Sequence, residues 1–116
     1  MAYHSVLGNG EWLLTGNKLV SPDGKTEFAA QHDGKVAIYR NGVCVFQNTA
    51  DQRYDVKGVH MQEDGNLVLY DNNHNSLWST DTYKTGNSST ILVVQNDGNV
   101  VLYNGTPIWD SKTNDR

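Results

Sequence analysis

The chain has 116 residues, 37% of them hydrophobic and 19% charged, with a formal net charge of -4. That length suits one domain, taken as residues 1–116, and the balance excludes both a large basic footprint for nucleic acid and a fully disordered chain. Nowhere do 18 apolar residues run together, which excludes a transmembrane helix and any expectation of membrane insertion. Thirteen Asn, ten Asp and eleven Gly stand against three Glu and five Ala, while Val alone numbers twelve. Turn formers and strand formers dominate, so the expected class is all-β with many tight turns. Cys44 is the only cysteine. It has no intrachain partner, and no charged, then apolar leader is visible after Met1, so a reducing, cytoplasmic location is expected.

In chain order, the opening segment carries Trp12 and the run Leu13-Leu-Thr-Gly-Asn-Lys-Leu19. Trp12 is expected to cap or complete one sheet. Beyond it the sequence repeats itself. Gln31-His-Asp-Gly-Lys-Val-Ala-Ile-Tyr39, Gln62-Glu-Asp-Gly-Asn-Leu-Val-Leu-Tyr70 and Gln95-Asn-Asp-Gly-Asn-Val-Val-Leu-Tyr103 align without gaps and begin 31 and then 33 residues apart. An aromatic marker follows each copy: Phe46-Gln-Asn-Thr49, Trp78-Ser-Thr-Asp-Thr82 and Trp109-Asp-Ser-Lys-Thr113. Three units of about a third of the chain each, plus short ends, account for the whole length.

Asp-Gly flanked by alternating apolar residues predicts a hairpin. With Asp64-Gly65-Asn66 as a three-residue loop, Glu63 pairs with Leu67, Gln62 with Val68 and His60 with Tyr70. Gln62, Val68 and Tyr70 then share one sheet face. Leu67 and Leu69 take the other face, as do Val36, Ile38, Val100 and Leu102 in the sister units. A 32-residue unit cannot bury a sheet alone. Three related sheets packing their aliphatic faces around a pseudo-threefold axis solve that problem, with Phe46, Trp78 and Trp109 contributing to the common centre.

Gln62, Asp64, Asn66 and Tyr70 combine a carboxylate, two amides and a phenol, and Val68 adds an apolar patch. Vicinal sugar hydroxyls want paired donors and acceptors, and the C–H face of the ring wants an apolar neighbour. Gln95, Asp97, Asn99, Val101 and Tyr103 repeat the set unchanged. The first unit keeps Gln31, Asp33 and Tyr39 but carries Lys35 and Ala37, which makes its site doubtful. Asp and Asn in such turns also bond their own backbone. That does not explain Gln and Tyr recurring at fixed offsets outside the turn.

The pattern Gln-x-Asp-x-Asn-x-Val-x-Tyr resembles the mannose-binding motif of the monocot (bulb-type, snowdrop-like) lectin family. The Trp78-to-Thr82 marker and the Leu13–Leu19 opening are similar to that family too, so the resemblance covers nearly the whole chain. It implies a β-prism II fold of three four-stranded antiparallel sheets, each with one sugar site and no metal or other cofactor. The implied roles place the 2-hydroxyl of mannose on Asp64 and Asn66, the 3-hydroxyl on Gln62 and the 4-hydroxyl on Tyr70, with Val68 against the ring carbons. Asp97, Asn99, Gln95, Tyr103 and Val101 take the same roles in the third unit. The implied partners are mannose and high-mannose glycans, bound multivalently. The resemblance also implies a homodimer formed by exchange of the C-terminal segment Asn104–Arg116. Plant members usually carry a cysteine after one motif aspartate. Gly34, Gly65 and Gly98 stand there, so the chain is most similar to disulfide-free members outside plants.

An enzyme is not expected. His4, His32, His60 and His74 lack paired metal-ligand spacing, and no nucleophile elbow or phosphate-cradling loop occurs. Asp33, Asp64 and Asp97 fall on separate sheets, unlike the adjacent carboxylates of a glycosidase. The alternative is a β-prism binding module of inhibitor or toxin type, acting through a protein surface with sugar binding incidental or lost.

Overall fold

Twelve short strands form three four-stranded antiparallel sheets in a computed structural model of the chain, which describes residues 4–48 and 51–114. The repeat units supply three strands each. They are β4 (Thr26–Ala30), β5 (Val36–Arg40) and β6 (Val43–Gln47); β7 (Val56–Met61), β8 (Leu67–Asp71) and β9 (Ser76–Ser79); and β10 (Ile91–Val94), β11 (Val100–Tyr103) and β12 (Pro107–Asp110). The fourth strand of every sheet comes from the opening segment. β1 (Val6–Leu7) pairs with β10, β2 (Trp12–Leu14) with β7, and β3 (Lys18–Val20) with β4. Trp12 thus completes the second sheet, as expected, but the same segment also completes the other two.

The inward faces are aliphatic because strand side chains alternate. Val36 and Ile38, Leu67 and Leu69, and Val100 and Leu102 are all buried in one core cluster. Leu7, Leu13 and Leu19 each bring one inward leucine from the donated strands. Phe46, Trp78 and Trp109 pack partly buried against this core. Trp78 meets the other two rings edge-on, at 6.2 and 6.4 Å between centroids. Each sits opposite the second inward residue of its hairpin: Ile38, Leu69 and Leu102 respectively.

The loop sits one residue earlier than the sequence expectation, so every cross-strand partner shifts by two residues. Met61 pairs with Leu67, His60 with Val68 and Gly58 with Tyr70. The three-residue loop is Glu63-Asp64-Gly65, closed by the Gln62 N–H on the Asn66 carbonyl and the Gly65 N–H on the Gln62 carbonyl, both 3.0 Å. Glycine decides this. Such a loop is a turn followed by one left-handed residue, and Gly65, at φ 88°, fills that last position rather than the middle one. The first and third hairpins close the same way at Gln31/Lys35 and Gln95/Asn99. The face assignment survives the shift, because Gln62 still lies on the outer side with Val68 and Tyr70.

The underside of Gly65 is also occupied. A Cβ there would lie 2.3 Å from the Gly86 Cα and 2.5 Å from the Asn87 nitrogen, in the loop joining the second and third units. Gly65→Ala therefore meets both left-handed strain and a backbone clash, and should cost at least about 2 kcal/mol. Gly105→Ala, at φ 102° with open space around it, should cost about 1 kcal/mol. Urea-unfolding midpoints of the two variants check the ranking.

Candidate functional site

The outer face of each sheet brings its five motif residues together. In the second unit, β8 carries Val68 and Tyr70 outward, while Gln62 and Asn66 face each other at the neck of the hairpin and Asp64 occupies the loop. Gln62 Nε2 donates to the Tyr70 hydroxyl, and the Gln31–Tyr39 and Gln95–Tyr103 pairs repeat that bond. Asp64 Oδ1 accepts the Asn66 N–H at 2.9 Å, Asp97 Oδ1 that of Asn99 at 2.9 Å, and Asp33 Oδ1 that of Lys35 at 3.0 Å. One carboxylate oxygen in each unit thus holds the loop, leaving the other to the outside.

The residues after each aromatic marker act as a clamp. The Leu67 N–H donates to Thr80 Oγ1 at 3.2 Å, and Asn66 Oδ1 lies 3.2 Å from that hydroxyl and accepts the Thr82 N–H at 3.1 Å. Thr82 Oγ1 donates to the Gly65 carbonyl at 2.7 Å. The third unit uses Ser111 and Thr113 on Asn99 Oδ1 and the Gly98 carbonyl in the same pattern. Sequence reading marks these hydroxyl residues as a repeat without giving them a task. In the first unit Asn48 Oδ1 takes the Val36 N–H at 2.8 Å, and Thr49 lies outside the described residues.

With the clamp in place, four groups in units two and three carry no protein hydrogen bond among the described residues. They are the aspartate Oδ2 and glutamine Oε1 as acceptors, and the asparagine Nδ2 and tyrosine O–H as donors. A pair of adjacent hydroxyls, each both donor and acceptor, matches this alternation. Val68 and Val101 are only 3% and 2% exposed, so the apolar floor they offer is narrow. Among the described residues no group of three His, Cys, Asp or Glu side chains is placed to hold a metal ion.

The second unit carries an aromatic array that the repeats do not announce. Trp12 stacks on His60 at 4.3 Å and lies 5.7 Å from Tyr70, and His74 stacks on Tyr70 at 4.3 Å. Lys57 Nζ sits 4.3 Å over the Trp12 ring. The Trp12–His60 contact follows from strand pairing across 48 residues, which no local pattern encodes. His74 reaches Tyr70 from the β8–β9 loop, where it holds φ 65°. Asp71 holds that loop: its Oδ1 accepts the Asn73 and Asn75 N–H groups at 2.9 and 2.8 Å, and its Oδ2 takes the Asn75 side chain at 3.1 Å. The Asn75 N–H above all, then the Asn75 side chain, the Asn73 N–H and the Arg53 guanidinium, keep the Asp71 carboxyl below its usual 3.8. Arg53 in turn grips Asp55 in a two-pronged pair at 2.8 and 2.9 Å.

A depressed folded-state pKa contributes stability that is complete above the unfolded value and lost as pH falls through the folded one. The wild type should therefore lose urea resistance on acidification from about pH 6 to about pH 3 more steeply than Asp71→Asn. Paired unfolding curves at the two pH values check the difference in slope.

Comparison with known proteins identifies the family and the fold. The family model of the D-mannose binding lectins (B_lectin) matches residues 46–115. A mannose-specific lectin of Aloe arborescens is 34% identical over 91 residues, covering 78% of this chain and 82% of its own length. Among solved structures, a Marasmius oreades lectin superposes with a TM-score of 0.84 at 30% identity, covering 97% of this chain and 93% of its own. The snowdrop (Galanthus nivalis) mannose-specific agglutinin, solved with methyl-α-D-mannoside, gives 0.71 at 29%, covering 94% and 96%. A domain-swapped lectin dimer of Mycobacterium smegmatis gives 0.54 at 33%, covering 91% and 97%. Three antiparallel sheets around one core, a repeated hairpin site and this breadth of similarity agree on a β-prism II protein of a carbohydrate-binding, non-enzymatic family: the chain belongs to the D-mannose binding lectins.

Proposed function

We propose that this chain is a multivalent lectin for α-D-mannose and high-mannose glycans, a single domain over residues 1–116 whose sites are the repeated hairpins. Asp64, Asn66, Gln62, Tyr70 and Val68 form one site, and Asp97, Asn99, Gln95, Tyr103 and Val101 another. The observation that carries this is the alternation of open acceptors and donors, fixed in place by the turn and the clamp. The axial 2-hydroxyl sits between the aspartate Oδ2 and the asparagine Nδ2, and the 3- and 4-hydroxyls meet the Gln–Tyr pair. The protein is cytoplasmic in this reading, in keeping with the unpaired, exposed thiol of Cys44.

Each site is small and open, so single-sugar dissociation constants are on the order of millimolar, and useful affinity comes from several sites acting together. Isothermal titration should give feeble binding to methyl α-mannoside and far tighter binding per sugar to yeast mannan. Asp64→Asn with Asp97→Asn keeps the turn acceptor but turns the outer oxygen into a donor. NMR shifts induced by methyl α-mannoside at those two hairpins should then vanish. A titration in which the double variant behaves as wild type at both hairpins overturns the assignment.

The same reading makes the protein a homodimer by exchange of the C-terminal strand. β12 pairs with β11 of its own chain along Val101–Asp110 and Leu102–Trp109, contacts that a partner's β12 would reproduce in an exchanged pair. Sedimentation equilibrium should give twice the chain mass of 12.9 kDa, and deletion of residues 107–116 should reduce that value to a monomer's.

A further inference from the structure

The three sheets present the same outward row to a ligand, read from the donated strand through the middle strand to the motif strand. In the second sheet that row is Trp12, His60 and Val68, and in the third it is Val6, Val93 and Val101. In the first it is Lys18, Ala29 and Ala37. Two alanines replace an imidazole and a valine, or two valines; Ala37 is fully buried, and the surface sinks beside Ala29. A cavity of about 370 Å³ opens beside the motif, lined by Gly16, Asn17, Lys18, Ala29, Gln31 and His32. This volume falls in the roughly 300–1,000 Å³ range of small-molecule sites. Gln31, a motif residue, forms part of its wall.

Lys35, the other departure in this unit, keeps what its counterparts offer. Asn66 Oδ1 and Asn99 Oδ1 each face two donors of their own clamp. A carbonyl oxygen has two lone pairs, so the only group those asparagines hold out is an N–H donor. A lysine ammonium is donor-only as well, and Lys35 Nζ has no hydrogen bond or ion pair among the described residues. The clamp that orients the amide has changed with it, since Asn48 stands in register with Thr80 and Ser111.

We propose, building on the lectin reading above, that the first hairpin is a working site with a two-residue ligand. One mannose engages Asp33, Lys35, Gln31 and Tyr39, and a second, α-linked sugar residue occupies the cavity over Ala29. The side chains of the equivalent rows deny that second position to the other two sites. The first site therefore selects oligosaccharide over monosaccharide.

The test uses the full chain carrying Asp64→Asn and Asp97→Asn, which isolates the first site. Methyl α-mannoside and an α-linked mannobiose are titrated into it, with binding followed by amide shifts at Gln31–Tyr39. The disaccharide should bind about ten-fold tighter than the monosaccharide. Ala29→His should remove that preference and Ala29→Val reduce it, both leaving monosaccharide binding in place. Each side chain already stands at this position in a sister sheet, so folding is preserved, and dispersed amide spectra verify it. Equal binding of the two sugars, or a preference that survives Ala29→His, overturns the proposal. If the isolated first site binds neither sugar while the wild type binds methyl α-mannoside at the other hairpins, the proposal falls and the lectin reading stands. If the wild type binds neither, both fall.

Discussion

Each sheet has one aliphatic face and strands of only two to six residues, so none can exist without the other two. Burial of the three inner faces against each other is the condition on which the rest of the molecule depends. It consumes the inward set Val36, Ile38, Leu67, Leu69, Val100 and Leu102, and by doing so leaves the alternate positions on the outside, free to differ. The outer residues sit on a scaffold that has no slack. A hairpin cannot slip by one residue without turning its leucines to water, so the positions of the polar groups are inherited from the core.

The second layer of order is polar. One atom of nearly every motif side chain is spent on the protein itself: aspartate Oδ1 on the turn, asparagine Oδ1 on the clamp, glutamine Nε2 on tyrosine. What remains exposed is a fixed set of single-purpose donors and acceptors. Pre-orientation matters here because an open site on a flat sheet buries little of a ligand, and ordering side chains at binding would consume much of the affinity. The same economy explains how lysine can stand where asparagine stands elsewhere. Once the amide oxygen is committed inward, the outer chemistry of the two residues converges.

Much of this was legible in the residues. The repeat, the all-β class, the alternation that sends Leu67 and Leu69 inward, and the grouping of Gln62, Asn66, Val68 and Tyr70 all follow from periodicity and spacing. The register of the hairpin did not, because it depends on which loop position is left-handed, and Asp-Gly-Asn accommodates more than one choice. The Trp12–His60 stack and the alanine-lined cavity were invisible for another reason. Both arise from pairing between strands far apart in the chain, where cross-strand neighbours have no local signature. The clamp lay between these extremes: its hydroxyls recur plainly, but their partner is fixed only when the third strand of each unit folds back.

The distribution of the opening segment also sets an order of events. β3 lies next to its own unit, so the first sheet has all its strands once the chain reaches Gln47. The second must wait for β7–β9 to return to β2, and the third for β10–β12 to return to β1. In that last sheet Leu7 meets Leu92, about three quarters of the chain length away. Closure of loops this long precedes the contacts that reward it, which slows folding. During synthesis β1 and β2 emerge first and are matched last and second to last. Once β2 is matched, and until the final unit leaves the ribosome, the unpaired β1 and an open aliphatic face remain available to neighbouring chains.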